Sequence, residues 1–224
     1  MSSLVAACAL FLGLHWIVAG SPLRGVIVAR MGEKPFRIAF SLAVAVSLVW
    51  AGWAYAHAPY IETWGTAQAL KPLAMLLVAF GFVLFIVGSL TRNLNSLDRY
   101  TADQVEIRGI LRITRNPGLI GLGLWGLAHF MVRGDWASHL LFGSFAFQGL
   151  IAPYNMERKY QRRFGEAWEK LAKQSSHWPF AAIIAGRNRL VLSEISWPLV
   201  AASLAIYAIV LHFHAAWFGV SPLG

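Results

Sequence analysis

Inside its apolar stretches, the chemistry open to this chain rests on histidine. His15, His129, His212 and His214 lie within long uncharged runs, and no Asp, Glu, Lys or Arg is set deep in any of them. Ionisable groups in such surroundings are costly and mark candidate sites. A neutral imidazole donates a ring nitrogen to a metal. Two imidazoles on different helices suit bis-histidine ligation of a haem iron, and they suit an interhelical hydrogen bond equally well. His15 and His129 are the two histidines placed for either role. His129 shares a helical face with Trp125, Leu122 and Gly118, at steps of four, seven and eleven residues. His15 lies among Phe11, Leu12 and Ala19. The lack of a buried carboxylate argues against a proton-driven pump or an ion-coupled transporter.

The remaining histidines read as polar tips that reach headgroups or hydrogen-bond a neighbour. His57 and His139 stand at the edges of apolar runs, and His177 in a connection. His212 and His214 are two residues apart, about 200° around a helix, so at most one of them faces a bundle interior. Cys8 is the only cysteine, which excludes an intrachain disulfide. It lies seven residues from His15, roughly 10 Å along the axis, too far to share a metal with it. His15 and His129 are themselves expected at depths that differ by roughly 10 Å, and helix tilt or an earlier helix start has to absorb that gap.

The elements that must carry these residues are membrane helices. Of 224 residues, 58% are hydrophobic and 13% charged, and mean hydropathy is +0.57. Disordered, fibrous and ordinary cytosolic proteins carry more charge than this. Six uncharged runs, at 1–23, 38–56, 72–91, 116–132, 136–156 and 195–218, approach the roughly 20 residues that cross a bilayer. The first run has no basic residue ahead of it, unlike a cleaved leader. The net charge of +9 reports orientation, not nucleic acid. The first, third and fifth connections hold four, five and eight basic residues, leaving Lys71 and Arg133 to the other two. Basic loops stay cytoplasmic, so both termini are expected on the far, periplasmic side of a bacterial inner membrane. Residues 157–173 carry Tyr160, Phe164, Ala167, Trp168 and Leu171 at helical spacing opposite Arg and Lys, as in a cytoplasmic amphipathic helix lying on lipid. The expected fold is an all-α polytopic bundle forming a single domain over 1–224.

Several segments carry a family likeness. The first is Gly13-Leu14-His15 followed by Ser21-Pro22-Leu23-Arg24. The second runs from Arg37 to Tyr60, with Tyr55, Ala58-Pro59-Tyr60 and then Trp64. The third and most specific begins Ile113-Thr114-Arg115-Asn116-Pro117. It continues through Leu124-Trp125-Gly126-Leu127-Ala128-His129 to Gly134-Asp135-Trp136-Ala137-Ser138 and Gly143. The last is His214-Ala215-Ala216-Trp217-Phe218-Gly219-Val220-Ser221-Pro222. Together they resemble the NnrU family of integral membrane proteins over nearly the whole chain.

That resemblance implies more than the spacing does. The family's carotenoid branch binds haem b, whose redox state gates cis-to-trans isomerisation of a polyene. The histidines matching its haem ligands are His15 and His129. Arginines at a membrane face, Arg24 or Arg115, are then suited to the haem propionates. The bacterial branch is linked to denitrification and nitric oxide metabolism. The chain departs from the family at Asn116, where Arg-His-Pro is common. The Arg-His-Pro pattern also belongs to membrane methyltransferases that use S-adenosylmethionine, whose cofactor end resembles Met156-Glu157-Arg158 through Phe164-Gly165 and Trp168. Asn116 and Arg158 weaken that alternative. A non-catalytic membrane assembly factor is the other one.

Overall fold

Helix begins at the second residue, because nothing in the first run interrupts it. α1 spans Ser2–Gly13 and passes without a break into a wide π-turn at Leu14–Ala19. After Pro22 comes α2, Leu23–Met31. Gly32, at φ +87°, ends it with a turn that an L side chain resists. α3 spans Glu33–Ala56, α4 Lys71–Leu90, and α5 is the single turn Ile110–Ile113. α6 is Pro117–Val132, α7 Trp136–Phe164, α8 Glu166–Lys173, α9 Ala181–Ile184 and α10 Trp197–Phe218. This computed structural model describes residues 1–91 and 105–223. Arg92, Arg99 and the polar stretch 101–104 lie outside the described residues.

The all-α expectation holds, with one small addition. Strands β1 (Glu62–Thr66) and β2 (Arg133–Asp135) pair antiparallel and tie the second connection to the fourth. Asp135 then caps α7, accepting hydrogen bonds from the Ser138 backbone N–H at 2.9 Å and its hydroxyl at 2.6 Å. At the opposite end the odd connections join one another. Arg112 binds Glu194 at 2.7 Å and Arg115 binds Glu157 at 2.7 Å. Asn155 donates to the Gly20 carbonyl at 3.1 Å. The alternation of charge along the sequence is therefore an alternation in space.

Among the described residues, four helical segments have the length and composition of membrane spans. Ser2–Ala19, Glu33–Ala56, Gln68–Leu90 and Trp197–Phe218 are long and apolar enough to cross a membrane. α6 has 16 residues, about 24 Å, which is short for a span. α7 has 29 residues, and its second half is charged. The glycines of α6 serve close packing. A Cβ on Gly126 would stand 2.7 Å from the Phe142 carbonyl oxygen, and one on Gly123 2.8 Å from the Leu150 side chain. α6 is thereby pressed between α4 and α7.

The division of residues 157–173 differs from the expectation. Pro153 lies inside α7 and does not end it, so 157–164 continue the fifth segment. The break comes at Gly165, φ +50°, and only Glu166–Lys173 forms a separate helix. Its apolar face does not lie on lipid. Tyr160, Trp168 and Leu171 are buried against Val105, Ile107, Ile110 and Leu111. Covering that face with protein removes it from water at roughly 25 cal/mol per Å². A second cluster near the other end packs Leu4, Ala7 and Cys8 of α1 on Ala51 and Ala54 of α3 and on Leu141 and Phe142 of α7.

Candidate functional site

His15 sits on the π-turn, an irregularity that recurs at functional sites. Its Nδ1–H donates to the Phe11 carbonyl at 2.8 Å. The ring lies 4.6 Å from Phe11 and 5.5 Å from Phe40. The next residue, Trp16, donates its indole N–H to Gln148 on α7 at 3.0 Å.

His129 stands one turn from the end of α6. Its Nδ1–H donates to the Trp125 carbonyl at 2.8 Å. The ring lies 4.7 Å from Phe142, nearly parallel at 26°, and 4.8 Å from Trp125. Its histidine neighbour is His214 of α10, with ring centres 6.5 Å apart and planes 22° apart. The Nδ1–H of His214 donates to the Val220 carbonyl at 2.6 Å. That contact exists because the chain reverses at Gly219, φ +71°, and Lys71 holds the returning strand through Ser221 at 3.4 Å.

The three imidazoles thus share one arrangement. Each commits its Nδ1–H to a backbone carbonyl, which leaves Nε2 as a lone-pair donor; the exposed His57 does the same toward the Trp53 carbonyl at 2.8 Å, so what sets His15 and His129 apart is their place inside apolar helices. A carbonyl behind the ring is the common support of a metal-ligating histidine. Among the described residues no group of three or more His, Cys, Asp or Glu is assembled for a metal ion. A bare ion wanting three or four protein ligands has no such set. A porphyrin iron asks only for axial ligands, and paired imidazoles fit that need.

The structure does not place the two sequence-selected histidines face to face. A chain of rings runs from His15 through Phe11, Phe145 and Trp125 to His129. His129 rests on Phe142 while Trp16 reaches Gln148. Those two contacts are six residues apart on α7, about 9 Å along its axis. His214 was one of a pair of which at most one can face inward, and the structure selects it. His212 is exposed, packed on Phe213 at 4.7 Å.

Both sequence-selected arginines hold carboxylates of the chain. Arg24 binds Glu33 at 2.6 Å and lies 5.3 Å over the Phe36 ring. Arg115 binds Glu157, donates to the Ser175 carbonyl at 3.1 Å and lies 5.7 Å over Trp168. Beside Arg115, Asn116 is 1% exposed and its amide reaches Nδ1 of His177 at 3.4 Å. His177 donates its Nε2–H to the Leu150 carbonyl at 2.9 Å. An imidazole from 61 residues further on therefore occupies the neighbourhood of Asn116. Burial pushes His177 below the usual histidine value. At the other end His139 lies 4.2 Å from Trp64 and 4.7 Å from Phe130, and its buried Nε2 has no hydrogen-bond partner among the described residues.

The family profile described as "NnrU protein" matches residues 3–222. The chain is 30% identical over 169 residues to the chloroplastic 15-cis-zeta-carotene isomerase of Zea mays, covering 71% of this chain and 45% of that protein. It is 29% identical over 177 residues to the chloroplastic 15-cis-zeta-carotene isomerase of Arabidopsis thaliana, covering 75% of this chain and 47% of that protein. The chain spans about half the length of the curated relatives it matches. No solved structure matches it.

Proposed function

The chain belongs to the NnrU family, and from that membership we propose that it is a haem b-binding membrane protein that isomerises a cis double bond in a long polyene. The observation that carries the reading is the common state of His15, His129 and His214, with Nδ1–H bound to a carbonyl and Nε2 left as donor. When bound, haem iron supplies a Lewis acid or one-electron partner to a double bond.

The protein's own part is support and orientation. His129 presents Nε2 from a short helix held rigid between α4 and α7, and the resemblance pairs it with His15. Phe142 and Trp125 fix the His129 ring plane. Arg24 and Arg115, the expected propionate partners, would have to share their guanidinium donors with Glu33 and Glu157. A polyene would lie in the bilayer against apolar helix faces. α10, whose only buried residue is Ser203, leaves such a face open. The basic connections face the cytoplasm, and both termini lie across a bacterial inner membrane.

The test is purification of the full chain in detergent from haem-replete cells, then incubation with a cis-configured polyene under reducing and oxidising conditions. The reading expects a Soret band and an all-trans product that depends on haem redox state. Colourless protein that leaves the polyene unchanged contradicts it.

A further inference from the structure

One exposed face of α7 changes character along its length. Phe147, Ile151, Tyr154, Arg158 and Arg162 follow one another at steps of four, three, four and four residues. That spacing keeps them in one sector of the helix about 80° wide. All five are exposed. The sector passes from bare hydrocarbon through a tyrosine to two guanidiniums within fifteen residues, about 22 Å. Tyrosine is at home where acyl chains give way to headgroups, and Arg158 stands one turn beyond it.

At the charged end lies a groove of about 470 Å³, lined by Glu157, Arg158, Gln161, Arg162 and Trp168. The Glu157 carboxylate is already held by Arg115 at 2.7 Å, and the Gln161 amide is tied to Glu169 at 2.7 Å. Arg112, Arg115 and Arg187, at the same end, are committed to carboxylates or carbonyls of the chain. Arg158 and Arg162 have no hydrogen bond or ion pair among the described residues. A guanidinium keeps its charge and matches two N–H groups to two phosphate oxygens.

We propose that the groove and the stripe leading into it bind one anionic phospholipid, with its phosphate between Arg158 and Arg162 and an acyl chain along Ile151 and Phe147. The apolar part of the stripe argues for a lipid over a soluble phosphate, which would leave Ile151 and Phe147 unused. A zwitterionic lipid brings a cation of its own to the two arginines, so the groove favours an anionic headgroup. At its apolar end the stripe reaches Trp16, the neighbour of His15, whose ring lies 5.0 Å from Phe147. The inference rests on α7 meeting the bilayer with its apolar half, and it is independent of haem.

The experiment titrates the detergent-solubilised full chain with dioleoyl phosphatidylglycerol or dioleoyl phosphatidylcholine and counts bound lipid by native mass spectrometry. Circular dichroism checks the folding of each variant. Wild type is expected to retain one phosphatidylglycerol in preference to phosphatidylcholine. Arg158→Gln combined with Arg162→Gln is expected to bind it about thirtyfold more weakly, and Ile151→Asn is expected to bind it more weakly too. Lys173→Gln combined with Arg189→Gln removes two charges from the same end outside the groove, and is expected to bind like wild type. Equal binding of the two lipids, or an equal loss in both double variants, overturns the site. Inorganic phosphate is the third probe. If it displaces phosphatidylglycerol while Ile151→Asn binds like wild type, the site takes a soluble phosphate and the lipid assignment falls. Haem content, read from the absorption of the same samples, reports separately on the proposed function.

Discussion

The guanidinium of Arg115, at the start of α6, lies 2.7 Å from the carboxylate of Glu157 on the long α7 helix. Both side chains are largely withdrawn from water, at 11% and 19% exposure. The pair joins the third connection to the fifth, and Asn116, Ser175 and Trp168 complete the junction. Removing Glu157 leaves the Arg115 guanidinium with the Ser175 carbonyl and without a counter-charge. Glu157→Ala should cost about 1–3 kcal/mol, seen as a lower Tm in detergent. Glu157→Gln, which keeps volume and one acceptor, should cost less.

Glycine positions in α6 should separate into two kinds. Gly126→Ala puts a Cβ 2.6 Å from the Ala146 backbone nitrogen, so α7 must move. Such overpacking costs about 1–3 kcal/mol, and Phe142, the platform of His129, moves with it. Gly118→Ala meets only the Ser89 hydroxyl at 3.7 Å and should be neutral. Thermal unfolding of the two variants, measured side by side, checks the contrast.

Acid should loosen the basic end of the molecule in two stages. His177 is held below its ordinary value of 6.5, so the fold favours its neutral ring. That contribution is complete above about pH 6.5 and fades as pH falls. Glu194 is held down to about 2 by hydrogen bonds from Arg112 and the Gly109 N–H, against 4.5 when free. Its contribution is complete above pH 4.5 and is lost toward pH 2. Thermal stability scanned from pH 8 to pH 3 should decline through both windows. Glu194→Gln should remove the lower decline and leave the upper one.

Orientation can be tested with single thiols. In a Cys8→Ser background, Trp64→Cys at the β1–β2 end should react with a membrane-impermeant maleimide in intact cells. Arg189→Cys at the Arg112–Glu194 end should react only after the membrane is opened. The reverse pattern would invert the topology.

Much of this arrangement was legible in the sequence, because its signals are physical and local. Uncharged runs mark the helical segments, and the grouping of Arg and Lys separates the two ends. The misreadings came from long-range packing. Trp168 and Leu171 are spaced like a lipid-facing stripe, and only the fold shows that Val105 to Leu111 cover them. The division of 157–173 between the end of α7 and a separate α8 is set by the turn at Gly165, which the helical spacing does not reveal. Strands of five and three residues are too short to give a periodic signal. His15 and His129 stand out in the sequence as histidines well inside uncharged runs. Nothing local in the sequence separates His214 from His212, because its distinguishing feature is a carbonyl brought back by the turn at Gly219.

The central claim, that this chain holds haem on histidines of its membrane helices, is tested most directly by the absorption spectrum of the purified wild-type protein beside that of His129→Ala. The account predicts a Soret band and sharp reduced-state bands in wild type, and their collapse in the folded variant. A wild type without a Soret band after haemin loading, or a His129→Ala spectrum that matches it, would contradict the account.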